Sequence, residues 1–371
     1  MSSYKKTDLT EIPLIPRLPP ELPYAIDDFS LAMHLGVKCR TLWYVITNKR
    51  RMYRYFTLPK SSGGVRQIFN PHKNLKYLQK QLDQRLLKLM PTQDCVGAYV
   101  LGKSCRDSAQ RHAGHKVRIA MDLRDFFPSH SRAMVRHFFQ WVGYPHVVSG
   151  LLADLCTAQQ WVTPVHPVPG AKAGYWRHFV PQGSPASPTL CNLIAQESLD
   201  NPVLRMIEGS GWVYTRYSDD LTLSHPEDKP HTDVNTLVTR MTELIQAAGY
   251  RTNRRKLKIQ RHHHQQCMLG MVINTHPNIP REVYRRYRAI IKNCYEQGFE
   301  INALRYGFEP PQAFADHLRG KVSYFNSVNP ERAATLMTIL NQASQRHTTE
   351  FDNPDKWLGA DLAEGSNGEA F

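Results

Sequence analysis

The segment WVYTRYSDDLTLS occupies residues 212–224. Apolar and β-branched residues flank Tyr217 to Asp220 on both sides, which predicts strand, tight turn, strand. Neighbouring side chains on a strand point to opposite faces, so two acids within one strand would not converge. At a hairpin turn that constraint relaxes, and Asp219 and Asp220 can both project from the tip. Adjacent carboxylates repel, and a divalent cation relieves the repulsion. Taken alone, such a pair is as readily an acidic turn corner. A third acid, Asp122, ends the apolar run VRIAMD at 117–122, which reads as a buried strand. Alone, it could equally cap a helix. Two strands carrying Asp122 and Asp219 side by side would form a site for two metal ions.

Elements of both kinds surround this pair of strands. Leu31, Leu35, Leu42 and Val45 recur near helical spacing in 28–47, with Asp28 and Ser30 as capping candidates. YRYFTLPKSSGGVRQIFNP (53–71) alternates about Gly63-Gly64 and predicts a hairpin. Leu75, Leu78, Leu82, Leu86 and Leu89 line one face of a helix over 74–90. Pro164, Pro167, Pro169 and Gly170 mark a loop ahead of VPQGSPASP (180–188). A helix is expected from about Thr189 to Leu199 and another over 233–249, a strand over 267–274, and helices from about 281 to 345. Strands and helices mixed in this way indicate an α+β or α/β core with a helical C-terminal part.

Charge narrows the partner. Lys and Arg number 47 against 32 Asp and Glu, a net charge of +15. That excess favours a polyanion, nucleic acid before a membrane surface. Residues 251–261 hold six basic groups and no acid, including Arg254 and Arg255. Residues 281–292 interleave Tyr284 and Tyr287 with Arg285, Arg286 and Arg288. Such stretches neutralise phosphates and offer rings to bases, although each could also be a solvated helix face. Residues 349–371 reverse the sign and read as a disordered acidic tail. The seven cysteines are scattered without a CxxC, which argues against a disulfide framework or a zinc site. His262-His263-His264 lacks a second half-site and reads as solvated histidines. No stretch approaches the ~20 apolar residues of a membrane span, and the N-terminus lacks a secretory apolar region. A cytoplasmic protein that engages no membrane is the expectation. No P-loop and no nucleophile elbow occur.

Six segments in order resemble the reverse transcriptase family, most closely bacterial retron reverse transcriptases and their group II intron relatives. LPKSSGGVRQIFNP resembles the fingers motif, making Lys60 and Arg66 triphosphate contacts. MDLRDFF resembles the motif that supplies Asp122 as metal ligand. Its Phe127 stands where the family carries a steric gate against the ribose 2′-hydroxyl. VPQGSPASPTLCN resembles the next motif, with Gln182 and Gly183 lining the nucleotide pocket and Asn192 supporting it. YSDD resembles the YxDD box, with Tyr217 near the primer terminus and Asp219 and Asp220 at the metals. GYRTNRRK brings Lys256 to the triphosphate or pyrophosphate, and MLGMVIN resembles the primer-grip strand. VGAYVLGKSCRDSAQRH resembles a retron segment ending in NAxxH, with Ser108 in place of the Asn and His112 as an RNA contact. INTHPNIPREVYRRYRAIIKN and GKVSYFNSVNP resemble retron thumb segments. Met268-Leu269-Gly270 departs from the VTG usual in retrons toward the wider family.

The resemblance implies a right-hand polymerase of α+β class, with fingers, an antiparallel-sheet palm and a helical thumb. The expected division is an N-terminal helical extension over 1–50, fingers over 51–115 and palm over 116–275. A finger or loop insertion falls at about 140–180, the thumb at 276–348 and the tail at 349–371. After about residue 345 no room remains for an RNase H or endonuclease domain. The implied activity is RNA-directed DNA synthesis from dNTPs with two Mg²⁺ ions, Mn²⁺ being a possible substitute. In a retron the partner is a structured noncoding RNA, both template and primer. A guanosine 2′-hydroxyl primes it, the product is branched single-stranded multicopy DNA, and a toxin or nuclease effector serves antiphage defence. The alternatives are a group II intron-like or abortive-infection-type polymerase, and a non-catalytic RNA-binding scaffold.

Overall fold

The computed structural model describes residues 18–60, 63–163, 174–228 and 233–347. The chain divides into two compact units, Met1–Gln266 and Cys267–Phe371. The start of the expected N-terminal extension, the Pro164 to Gly170 loop and the acidic tail lie outside the described residues.

In the first unit, two helices stand where the spacing predicts one. α1 (Asp28–His34) and α2 (Cys39–Thr47) are separated because Gly36 takes a φ of +68° and turns the chain. The cap is Asp27 rather than Asp28. Its carboxylate accepts the Ser30 N–H at 2.8 Å, and the Ser30 hydroxyl accepts the Asp27 N–H at 3.1 Å. β1 (Tyr53–Pro59) and β2 (Val65–Pro71) form the expected hairpin, in register from Tyr53↔Pro71 to Pro59↔Val65. α3 (Lys73–Arg85) buries Leu75, Leu78 and Leu82. A 3-10 turn over Leu87–Leu89 then ends the periodicity, and Leu89 faces outward. α4 (Cys105–Gln110) opens on a capping box between Ser104 and Asp107.

β3 (Val117–Asp122) leads into the short α5 (Phe126–Ser129). α6 (Arg132–Val142), α7 (His146–Cys156), β4 (Ala158–Val162) and β5 (Tyr175–Phe179) follow. α8 (Ser187–Ala195) continues through a π-helical turn, Gln196–Asp200, into α9 (Asn201–Ile207). β6 (Val213–Tyr217), β7 (Asp220–His225), α10 (Val234–Ala247) and β8 (Lys258–Arg261) complete the unit. Four strands form one antiparallel sheet in the order β6-β7-β3-β8. β3 is interior and almost wholly buried, which explains its run of apolar residues in place of alternation.

The second unit begins at Cys267. The strand expected over 267–274 is instead a minimal hairpin of β9 (Cys267–Met268) and β10 (Met271–Val272). Leu269 and Gly270 turn it at φ of +50° and +79°. Helices α11 (Arg281–Gln297), α12 (Phe299–Tyr306), α13 (Pro311–Val328) and α14 (Pro330–Arg346) follow. α11 buries Ile290, Ile291 and Cys294, and Arg285, Arg286 and Arg288 are exposed. Its tyrosines differ from the expectation of free stacking rings. Tyr287 packs edge-on to Phe325 at 5.5 Å, and the Arg332 guanidinium lies 5.4 Å over Tyr284.

Candidate active site

Antiparallel register brings the acids together. Asp122, the last residue of β3, pairs with Asp220, the first of β7. Asp219 sits in the two-residue turn that closes β6 on β7, where Tyr217 pairs with Asp220. The Leu123 N–H donates to the Asp219 carbonyl at 2.9 Å, tying that turn to the end of β3. Ser218, the first turn residue, holds a φ of +59°, a left-handed conformation that glycine adopts more easily.

Asp122 is 5% exposed, while Asp220 lies at the surface. Partial removal from water raises the Asp219 carboxyl above its ordinary range, and the Asp122 charge adds to the rise. The same cause, with repulsion from Asp219 and Asp122, lifts Asp220 to about 6. Lys256 offsets part of this: its ammonium donates to Asp122 Oδ2 at 2.6 Å, and the contact raises the lysine in turn. Lys256 therefore meets a carboxylate, whereas the sequence assigned it to phosphates. Among the described residues, no three His, Cys, Asp or Glu side chains already stand in metal-holding geometry. The donor set still suits a hard divalent cation. It is all oxygen, it carries excess negative charge, and a cation would relieve the repulsion that adds to burial in raising Asp219 and Asp220.

The residues assigned to the nucleotide lie on several elements. Lys60 and Arg66 are exposed on the β1–β2 hairpin, Lys60 beside its turn and Arg66 on β2 opposite Leu58. Phe127 is half-buried on α5, its ring 5.5 Å from Phe126 and 6.3 Å from Tyr99. Gln182 fastens the hairpin to the loop before α8, its carbonyl accepting the Phe69 N–H at 2.8 Å. Gly183, at φ +115°, is needed here for packing. A Cβ would come 2.9 Å from the Phe69 carbonyl oxygen. The loop before α8 thus packs closely on β2 at this point. Arg254 and Arg255 are exposed on a 3-10 turn that also carries Lys256.

His112 requires a correction. It is fully enclosed, with its ring nitrogens 2.6 Å from Ser224 Oγ and 2.7 Å from Thr215 Oγ1. Burial lowers its pKa to about 3, so it is a neutral tie between β6 and β7 and does not reach RNA. Ser108 is buried as well, against Gly97, where a Cβ would come 2.0 Å from its hydroxyl.

Beyond Asn192, the side chains supporting the site have no sequence motif to announce them. Arg216 and Asp200 are both fully buried beneath the Ser218-Asp219 turn. The guanidinium donates to both Asp200 oxygens at 2.7–3.0 Å, to Asn192 Oδ1 at 2.8 Å and to the Ser218 carbonyl at 3.4 Å. Asn192 passes the contact on, its amide donating to the Ala98 carbonyl at 2.6 Å. Its role is therefore to brace the turn from below. Tyr214 adds a bond to Asp200 at 2.8 Å. The π-helical turn ends at Asp200, whose carboxylate meets this group. Under α5, the Tyr250 hydroxyl donates to His130 Nε2 at 2.9 Å, and His130 Nδ1 donates to the Phe126 carbonyl at 2.9 Å. Burial holds His130 neutral, at about 4.

Comparison with known proteins bears on this arrangement. Residues 58–273 match the family described as reverse transcriptase (RNA-dependent DNA polymerase). The chain is 32% identical over 326 residues to Retron Mx65 reverse transcriptase of Myxococcus xanthus, covering 85% of this chain and 71% of that protein. It is 27% identical over 326 residues to Retron Ec86 reverse transcriptase of Escherichia coli, covering 87% and 90% respectively. Among solved structures it is similar to a telomerase from Candida tropicalis determined with a fragment of telomeric RNA. The TM-score is 0.46 at 12% identity, over 82% of this chain and 57% of that one.

Proposed function

Because this chain belongs to the reverse transcriptase family, as an RNA-directed DNA polymerase with retron enzymes among its relatives, we propose that it copies part of a structured noncoding RNA into branched single-stranded DNA. Synthesis starts from a guanosine 2′-hydroxyl of that RNA and uses dNTPs. The observation that carries the catalytic part is the Asp122↔Asp220 register with Asp219 in the adjoining turn. Asp122, Asp219 and Asp220 would hold Mg²⁺, which supplies charge neutralisation for the primer oxygen and the triphosphate. Lys60 and Arg66 bind the triphosphate, and Lys256 exchanges its carboxylate partner for phosphate oxygens. Gln182 orients the nucleotide, and Tyr217 supports the primer end. Arg254, Arg255, Arg285, Arg286 and Arg288 bind the RNA backbone. An effector encoded nearby, and a role in antiphage defence, belong to the same proposal on resemblance alone.

The test is made on cells carrying the gene with its native flanking DNA. After RNase treatment, a discrete short single-stranded DNA with a branch nucleotide is expected. It disappears in the Asp219→Ala, Asp220→Ala variant. If purified enzyme extends a primed RNA and the cells hold no such DNA, the assignment moves to the group II intron-like or abortive-infection-type relatives.

The half-buried Phe127 ring carries a second expectation. A flat ring beneath the sugar excludes a 2′-hydroxyl, so Phe127→Val incorporates ribonucleotides with discrimination reduced by about one to three orders of magnitude. The ratio of kcat/KM for dNTP and rNTP reads this directly. An unchanged ratio removes the gate assignment.

A further inference from the structure

We propose that the outer face of the β4–β5 hairpin is a stacking platform for unpaired bases of the RNA being copied, an inference that rests on the RNA-copying function above. Trp161 and Trp176 are cross-strand partners, with rings 5.3 Å apart at 65°. Both are large apolar groups left 47% and 41% exposed. Neither is free to wander. The Trp161 ring lies on Gly174, where a Cβ would come 2.7 Å from two ring atoms. The Arg50 guanidinium sits 3.9 Å over the Trp176 ring. Arg50, Trp176 and Trp161 therefore form an ordered ladder before any ligand arrives, which lowers the entropy cost of binding.

Charge selects the occupant. Residues 49–60, 63–72, 158–163 and 174–182 contain no acid. Arg50, Arg51, Arg54, Lys60, Arg66 and Arg177 are all exposed among them, whereas Lys49 is buried and paired with Asp154. Exposed indoles within an acid-free basic surface match a single strand, whose bases stack and whose phosphates need cations. A protein partner held by the indoles alone would not require the basic surround.

The foot of the hairpin reaches the active site. Phe179 packs on Phe69 at 5.2 Å, and Arg177 donates to the Pro128 carbonyl at 2.7 Å, next to Phe127. Trp176 stands three residues up β5, about 10 Å from Phe179 at strand rise. Trp176 alternates with Arg177 and Phe179, so the ladder is on the opposite face of the hairpin, and RNA leaving the nucleotide pocket would meet it by passing over the hairpin edge.

Polarisation binding of a labelled primer on an RNA template distinguishes the outcomes. One template carries a single-stranded 5′ overhang, and the other ends flush with the duplex. Trp161→Ala with Trp176→Ala should weaken overhang binding by about 30- to 100-fold, as loss of two stacked bases implies. Affinity for the flush duplex should stay within about twofold, and Trp161→Phe with Trp176→Phe should recover most of the loss. Arg50→Gln, which leaves both indoles in place, should cost the overhang about 3- to 10-fold and serves if the double variant misfolds. Unchanged overhang affinity, or equal loss on both substrates, overturns the proposal and leaves the face to a protein partner. A wild-type enzyme that makes no DNA on RNA refutes the function itself. One that copies RNA while its tryptophan variants bind the overhang at full strength refutes only the platform.

Discussion

Asp220→Asn is expected to abolish DNA synthesis and at the same time to raise the melting temperature in EDTA above pH 6. The two effects have one origin. Asp220 lies beside Asp219 and Asp122 in a partly dehydrated corner, so its charge opposes folding while it equips the site for a cation. Dehydration and the neighbouring charges push its carboxyl up to about 6 in the fold from an ordinary 3.8. Between those values the folded protein holds the extra proton, so stability falls as pH rises through the window and is level above it. The amide removes that loss. The gain in melting temperature should therefore be small near pH 4, grow toward pH 6 and hold steady to pH 8. Activity falls on the order of a thousandfold or more, since a metal centre contributes several kcal/mol to the transition state. Primer extension on RNA gives the first result and a thermal melt across pH the second. A variant that keeps its activity, or melts lower at pH 8, contradicts the assignment.

Arg216→Met is expected to cost about 3–5 kcal/mol of folding stability, because it leaves Asp200 buried without a counter-charge. The partner variant, Asp200→Asn, strands the guanidinium and should cost a similar amount. Arg216 meets Asp200, Asn192 and the Ser218 carbonyl, so its loss also frees the strained turn that carries Asp219. Chemical denaturation measures the stability, with a double-mutant cycle for the coupling. Arg216→Lys keeps the charge and loses the fork. It should recover part of the stability and leave kcat low with KM for dNTP little changed. A loss below about 1 kcal/mol for Arg216→Met would mean that water reaches the pair.

The legible parts of this molecule were those where local chemistry and tertiary role coincide. The β1–β2 hairpin announced itself through alternation around Gly63-Gly64, and α3 through leucines at helical spacing. A helix-period or strand-like run continues across the tight turns at Gly36 and at Leu269-Gly270, so local pattern alone does not reveal them. His112 is ambiguous in sequence for a different reason. Histidine is equally suited to contacting RNA and to joining two hydroxyls in a core, and only enclosure by Thr215 and Ser224 distinguishes the two. Gly183 carries a packing demand against β2 that its place in a nucleotide-pocket motif does not reveal.

Taken by itself, the amino-acid order determined the set of chemical groups: three carboxylates on strand ends, a basic complement, and an aromatic five residues past Asp122. Motif order then determined the family. These are properties of side chains and short spacings, which survive without coordinates. Only the tertiary structure decided which groups meet. The β3–β7 register joins Asp122 to Asp220 across about a hundred residues of chain, and packing buries Arg216 on Asp200. It also left Trp161 and Trp176 packed edge to face in the open. Register, burial and stacking depend on contacts between segments far apart in sequence, and no local pattern encodes them.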